Sequence, residues 1–284
     1  MKKILLPLLT LLSLLFFTKT TLAQNEANVW YFGYNAGVDF SSGNPVPLTN
    51  GALTTPEGSA TIADANGNLL FYSDGITVWD RTHSPMPNGT GLMGHPSSAQ
   101  SGIIVPKPGS SNIYYLFTVN YNLSSSTGLR YSEINMNLNG GMGDVTVNKN
   151  ILLATPASEK LTAVKHSNNV DYWVIVKRSS TNEFNSFKVD CNGVNTTPVI
   201  TNSGANTYTW GYIAASPDGT KLAMAESGSG FEVYDFDAAT GIVSNPLAGI
   251  FRGLLWRVVF AQWAGFIRFA NYWGRPFPME SECR

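Results

Sequence analysis

One strand–turn–strand–strand unit recurs four times, and it limits the architectures open to this chain. Its first strand is expected at Ser59–Ala63, Ser101–Val105, Leu161–Lys165 and Tyr212–Ala215. The second is expected at Leu69–Ser73, Ile113–Val119, Tyr172–Lys177 and Leu222–Glu226, and the third at Ile76–Trp79, Leu129–Ile134, Phe184–Val189 and Phe231–Phe236. Each third strand runs into an Asp or Asn (Asp80, Asn135, Asp190, Asp237), at intervals of 55, 55 and 47 residues. A period near 50 with three to four strands per repeat is the spacing of β-propeller blades. A β-sandwich with strands of similar length is the competing architecture. The run of hairpins, in place of long Greek-key crossovers, favours the propeller.

Turn chemistry supports the register. Ile213–Met224 places Ser216-Pro217-Asp218-Gly219 between two apolar runs. Pro217 presets φ, Asp218 can cap the turn, and Gly219 accepts the positive φ of a bulged hairpin. Asp64 and Gly67 play these parts in Asp64-Ala65-Asn66-Gly67-Asn68, and Asp74 and Gly75 in Ser73-Asp74-Gly75. The first of these begins like a calcium loop and the second like a sialidase Asp-box. The calcium spacing is wrong, and the Asp-box lacks one residue between Ser and Asp. Turn roles are therefore expected, no cofactor is assigned, and calcium stays a weak alternative.

Before the repeats, residues 1–23 read as a secretory signal peptide. Lys2 and Lys3 precede the apolar Ile4–Phe17, and Thr21-Leu22-Ala23 supplies small residues at −3 and −1. No membrane span is expected after its cleavage. Residues 24–248 form the propeller-like domain, with about four recognisable blades and the ring incomplete. Residues 249–284 break the pattern: they hold five of the eight arginines and three of the seven tryptophans, with no Lys, Asp or Thr. Two readings stand for this tail, a frameshifted end replacing a fifth blade and a natural amphipathic tail.

Only 13% of the 284 residues are charged and the net charge is −1, which gives no electrostatic case for nucleic acid. Two cysteines, Cys191 and Cys283, make no framework. Cys191 is expected as an unpaired, partly buried thiol, and pairing with Cys283 stays open. His83, His95 and His166 are scattered, and Arg81, Arg130 and Arg178 are the only arginines before the tail. Asp39, Glu57, Asp64, Asp74, Asp80 and Asp144 offer carboxylates that the sequence does not pair. No catalytic, cofactor or metal residue is assigned. Tyr121, Tyr208 and Trp210, in polar loops, are candidate contacts for an extracellular glycan or protein.

Several stretches together resemble a known family: Asn28-Val29-Trp30-Tyr31-Phe32-Gly33, Glu57–Ile62, Asp64–Tyr72, Asp74–Asp80, Met86-Pro87-Asn88-Gly89 and Gln100–Gly109. They are similar to the N-terminal propeller-like region of large secreted surface proteins of Bacteroidota. Those proteins usually end in a gliding-motility-associated C-terminal domain, the type B sorting signal of the type IX secretion system. The likeness spans about residues 25 to 248. It implies a secreted or cell-surface location; a non-catalytic binding or adhesion module is expected because the sequence shows no cluster of carboxylates, histidines or cation ligands. The immunoglobulin-like repeats and sorting domain of such proteins are absent from this sequence, so an inert truncated fragment is a further expectation. Ser216–Gly219 with Leu222-Ala223 is also similar to repeats of TolB-like and lactonase-like propellers. A carbohydrate-active or lactone-hydrolysing propeller is therefore the alternative function. It requires carboxylates, histidines or a cation converging at the central channel mouth.

Overall fold

The computed structural model describes residues 25–121, 128–206, 210–226 and 230–249, and the backbone of 255–260 and 267–271. The segment expected as signal peptide and most of the tail lie outside the described residues, as do Tyr208 and Cys283. Among the described residues no helix is long and apolar enough to cross a membrane.

The fold is all-β and propeller-like. A leading sheet holds β1 (Val29–Phe32), β2 (Ala36–Asp39) and β3 (Val46–Leu48). Blade I holds β4 (Ala60–Ala63), β5 (Leu69–Ser73) and β6 (Val78–Asp80). Blade II begins with β7 (Gly102–Pro106), β8 (Ile113–Val119) and β9 (Leu129–Asn135), and both β10 (Asp144–Val145) and β11 (Ile151–Ala154) pair with β9. Blade III repeats this plan with β12 (Leu161–Lys165), β13 (Tyr172–Lys177), β14 (Glu183–Asp190), β15 (Gly193–Val194) and β16 (Val199–Asn202). Blade IV is a four-strand meander of β17 (Gly211–Ala215), β18 (Lys221–Glu226), β19 (Gly230–Asp237) and β20 (Ile242–Gly249). A last hairpin pairs β21 (Leu255–Phe260) with β22 (Ile267–Asn271).

The first three strands of every blade fall where the sequence places them, to within a residue or two. The leading sheet and the outer strands do not follow from the periodicity. The polar, proline-containing residues 41–57 contain β3. The outer strands are short or interrupted, and β20 carries Asn245 at φ 48° ahead of Pro246 and is mostly exposed. Edge strands of this kind lack the apolar run that announces a buried strand. The tail's altered composition also coexists with paired backbone in β21 and β22.

Burial on both faces explains the continuous apolar runs. Four clusters fill the four successive interfaces. Tyr31 and Leu53 meet Tyr72 between the leading sheet and blade I. Phe71 and Val78 meet Leu116 and Ile134 between blades I and II. Phe117 and Leu129 meet Val174, Val176 and Phe187 between II and III, and Ile175 and Phe184 meet Leu222 and Tyr234 between III and IV. Neighbouring residues on one strand thus serve opposite neighbours: Leu116 faces blade I while Phe117 faces blade III. Among the described residues the leading sheet is covered on one face only. Trp30 and Phe32 on its other face are 51% and 40% exposed.

β1, β4, β7, β12 and β17 lie side by side in that order, with β21 beside β17, so the first strand of each blade is its inner strand. The inner strands β4, β7, β12 and β17 start at one end, here termed the mouth, whereas β1 starts beside the opposite end, where Asn25 Nδ2 donates to the Ala65 carbonyl at 2.9 Å. The opposite, or turn, end carries the hairpins joining first to second strands.

Candidate functional site

The turns singled out in the sequence consume their own polar groups. Asp218 Oδ1 accepts from Ser216 Oγ at 2.6 Å and from the Thr220 amide at 3.1 Å, and Gly219 adopts φ 71°. Asp64 accepts from the Asn66 and Asn68 amides at 2.8 and 2.9 Å, and Gly67 adopts φ 88°. Both turns stand at the turn end, Pro217 with them. Asp74 and Gly75 stand at the mouth, where Asp74 Oδ1 accepts from the Ile76 and Thr77 amides at 2.8 Å each. Trp79 stacks on Tyr72 at 5.5 Å, so this motif is a capped hairpin with a packed indole. Among the described residues, no three His, Cys, Asp or Glu side chains group as a metal ion's ligands would. Cys191 is exposed, against the expected partial burial.

The chemistry gathers at the mouth. Each inner strand is preceded by a polar segment, and these segments interlock. The Gly58 amide donates to the Ser98 carbonyl at 3.1 Å, and the Ala99 amide donates to Glu159 Oε2 at 2.9 Å. Gln100 spans three blades. Its Oε1 accepts from the Leu161 amide at 3.2 Å and the Ile213 amide at 2.8 Å, and its Nε2 donates to the Ile213 carbonyl at 2.9 Å. The side-chain amide thereby stands in for the peptide group of a further strand along the axial edge of β17.

Glu159 and Lys160 follow, 1% and 0% exposed. Lys160 Nζ lies 3.5 Å from Glu226 Oε1 at the end of β18. Lys177, at the end of β13 and 0% exposed, donates to the Ser203 and Ala205 carbonyls at 3.3 Å and sits 4.3 Å from the Phe184 ring centroid. Tyr234 donates its hydroxyl to Glu232 Oε2, whose other oxygen accepts from the Ala205 amide at 3.0 Å. Two lysines and two glutamates therefore share the upper part of the blade III–IV interface. Burial lowers both lysines, Lys177 to about 8, while Glu226 opposes the shift at Lys160 and Glu232 opposes it at Lys177. Burial also raises the Tyr234 hydroxyl, and its bond to Glu232 raises it further.

Glu159 is set apart by an oxygen without a partner. Among the described residues Glu159 Oε1, Ser98 Oγ and Ser101 Oγ are buried with no hydrogen bond. Burial pushes the Glu159 carboxyl from 4.5 up to about 7; the Ala99 amide and Lys160 pull it down, and Glu57 pushes it further up. The folded chain therefore holds this proton more tightly than the unfolded chain. Its contribution to stability is full below about 4.5 and falls as pH rises to about 7, by roughly 3 kcal/mol at most. Denaturant titrations from pH 4 to 8 should show the wild type losing stability relative to Glu159→Gln across that window. Parallel curves would refute the assignment.

Above this buried layer lie the aromatics read from the sequence. Trp210, just before β17, is 47% exposed, and Tyr121, just after β8, is 39% exposed and 4.2 Å from the His95 ring centroid. The structure thus brings Tyr121 and Trp210 to the same end and leaves Asp64, Gly67, Pro217, Asp218 and Gly219 at the other. Beside β18, β19 and β20 of blade IV and the connecting residues Ala205 and Asn206, a cleft of about 150 Å³ opens. Met224, Glu226, Glu232, Asn206 and Ala248 help to line it.

Gln100, Glu159, Lys160, Lys177, Glu226 and Glu232 were not among the candidates from sequence. Glu57, Gln100, Glu159 and Trp210 each precede the inner strand of a successive blade, so aligning the four units could have shown that polar position. The partners Lys177 and Glu226 are single charges ending apolar second strands, a signal that ordinary surface residues share.

No protein-family model matches the sequence, and no curated protein matches it. Solved structures do. The periplasmic gluconolactonase of Pseudomonas aeruginosa is 13% identical over 84% of this chain and 70% of that one, with a TM-score of 0.56. A functionally unknown protein of Desulfotomaculum acetoxidans is 10% identical over 88% and 80%, with a TM-score of 0.50. The β-propeller domain of Myceliophteria thermophila Cps50 (Swd1) is 8% identical over 87% and 80%, with a TM-score of 0.46. The likeness is one of fold.

Proposed function

We propose that this chain is an exported binding module, part of a larger surface protein, that holds an extracellular glycan at its mouth. The carrying observation is the asymmetry between the two ends. Hairpins at the turn end spend their polar groups on themselves, whereas the mouth presents exposed aromatics over a layer of buried acceptors and ammonium groups. Aromatic faces that stack on sugar rings, beside carboxylates that accept hydroxyl protons, make a glycan surface. The signal-like N-terminus and the resemblance to Bacteroidota surface proteins support export. A glycan array probed with the labelled full chain should show binding. Trp210→Ala and Tyr121→Ala should each weaken it roughly tenfold, about 1.4 kcal/mol. Absence of binding, or binding untouched by both changes, would overturn the proposal.

A second reading, lactone hydrolysis, is favoured by Glu159. A carboxyl near neutrality suits a general base that takes a proton from the attacking water and returns it to the departing ring oxygen. The gluconolactonase named above shares the fold. Purified chain should then hydrolyse glucono-δ-lactone faster than buffer, and Glu159→Gln should remove the excess. No rate above buffer would end this reading.

A further inference from the structure

We infer that the cleft on blade IV, beside Ala205 and Asn206, takes one neutral sugar ring, the end of a glycan chain, with Glu226 and Glu232 accepting its hydroxyl protons. This rests on the glycan-binding reading and names the unit recognised. Size is the first argument. The cleft measures about 150 Å³; a cavity of ~150 Å³ holds a single six-membered ring, and ligand sites for larger molecules run to about 300–1,000 Å³. Met224, 1% exposed, lines it, so the space favours insertion of a chain end over passage of a strand.

Charge selects the ligand class. Two carboxylates alone would select an ammonium ion. Here Lys160 stands behind Glu226 and Lys177 near Glu232, both fully buried, and their charges offset the pair. What remains is a wall of acceptors without a net field. Glu232 receives one donor on each oxygen, and a carboxylate has about four acceptor positions, so capacity is left. Asn206 adds an amide at the rim, and Met224 and Ala248 add apolar surface. A neutral, donor-rich ring with one apolar face meets these conditions.

Ala248 gives the test. It pairs with Glu232 across β19 and β20, so its side chain shares that residue's face, yet it stands on the exposed edge strand where a larger residue is tolerated. Ala248→Leu should fill the cleft and weaken glycan binding at least tenfold with the melting temperature unchanged. Methyl glycosides of glucose, galactose, mannose, xylose and N-acetylglucosamine are offered as competitors, with glucuronate and tetramethylammonium as charge controls. One neutral glycoside should compete, and neither ion should. If the full chain binds glycan while no methyl glycoside competes and Ala248→Leu is silent, the inference is overturned and the glycan reading stands. Preference for tetramethylammonium also overturns it. No glycan binding of any kind removes both.

Discussion

Lys160→Met should destabilise the chain by about 3–5 kcal/mol, the cost of leaving a buried carboxylate without its counter-charge. The pair bridges two blades. Lys160 precedes the inner strand of blade III, and Glu226 ends the second strand of blade IV, with side chains 0% and 8% exposed. Removing the ammonium takes away the cation that Glu226 faces at 3.5 Å. Glu226→Met should cost a similar amount for the opposite reason. The double variant should recover much of the loss, because the two apolar side chains no longer bury a lone charge. Denaturant titrations of the four proteins give the coupling directly, and coupling of at least about 3 kcal/mol is expected. Additive losses would show that the pair is incidental to blade docking.

The second large effect belongs to Gln100. Gln100→Leu keeps the volume and removes three hydrogen bonds, to the Leu161 amide and to both backbone groups of Ile213. Those groups lie on the axial edges of β12 and β17, where among the described residues no further strand pairs with them. Each buried group left without a partner costs about 1–3 kcal/mol, and partial hydration at the mouth should hold the sum near 3 kcal/mol. Hydrogen exchange at the Ile213 amide should rise in the variant before global unfolding. An unchanged rate would mean that the side-chain amide does not seal this edge.

The two variants test what the sequence did not show. Hairpin positions were legible because turn residues and apolar runs act locally: Asp64, Gly67, Asp218 and Gly219 do what their types dictate. The inner-strand order followed from the repeat period. The mouth was not legible, because Glu159, Lys160 and Lys177 of blade III meet Glu226 and Glu232 of blade IV only when the blades stack. Each alone resembles a surface charge at a strand end. No cluster of carboxylates and histidines is visible in the sequence, and the fold gathers Lys160, Lys177, Glu226 and Glu232 from distant positions along the chain. The outer strands escaped notice for another reason: β10 and β15 are two residues each, too short for a period to register. Tyr121 and Trp210 were identified as exposed aromatics, but their common end became visible only from the strand directions.

The central claim is that ligand engages the mouth and not the turn end. Hydrogen exchange of the full chain with and without its array-identified glycan tests this most directly. Protection is predicted at residues 98–101, 157–160, 205–206, 210–213 and 224–226, with residues 64–68, 166–171 and 216–220 unchanged. Protection confined to those hairpin turns would contradict the account.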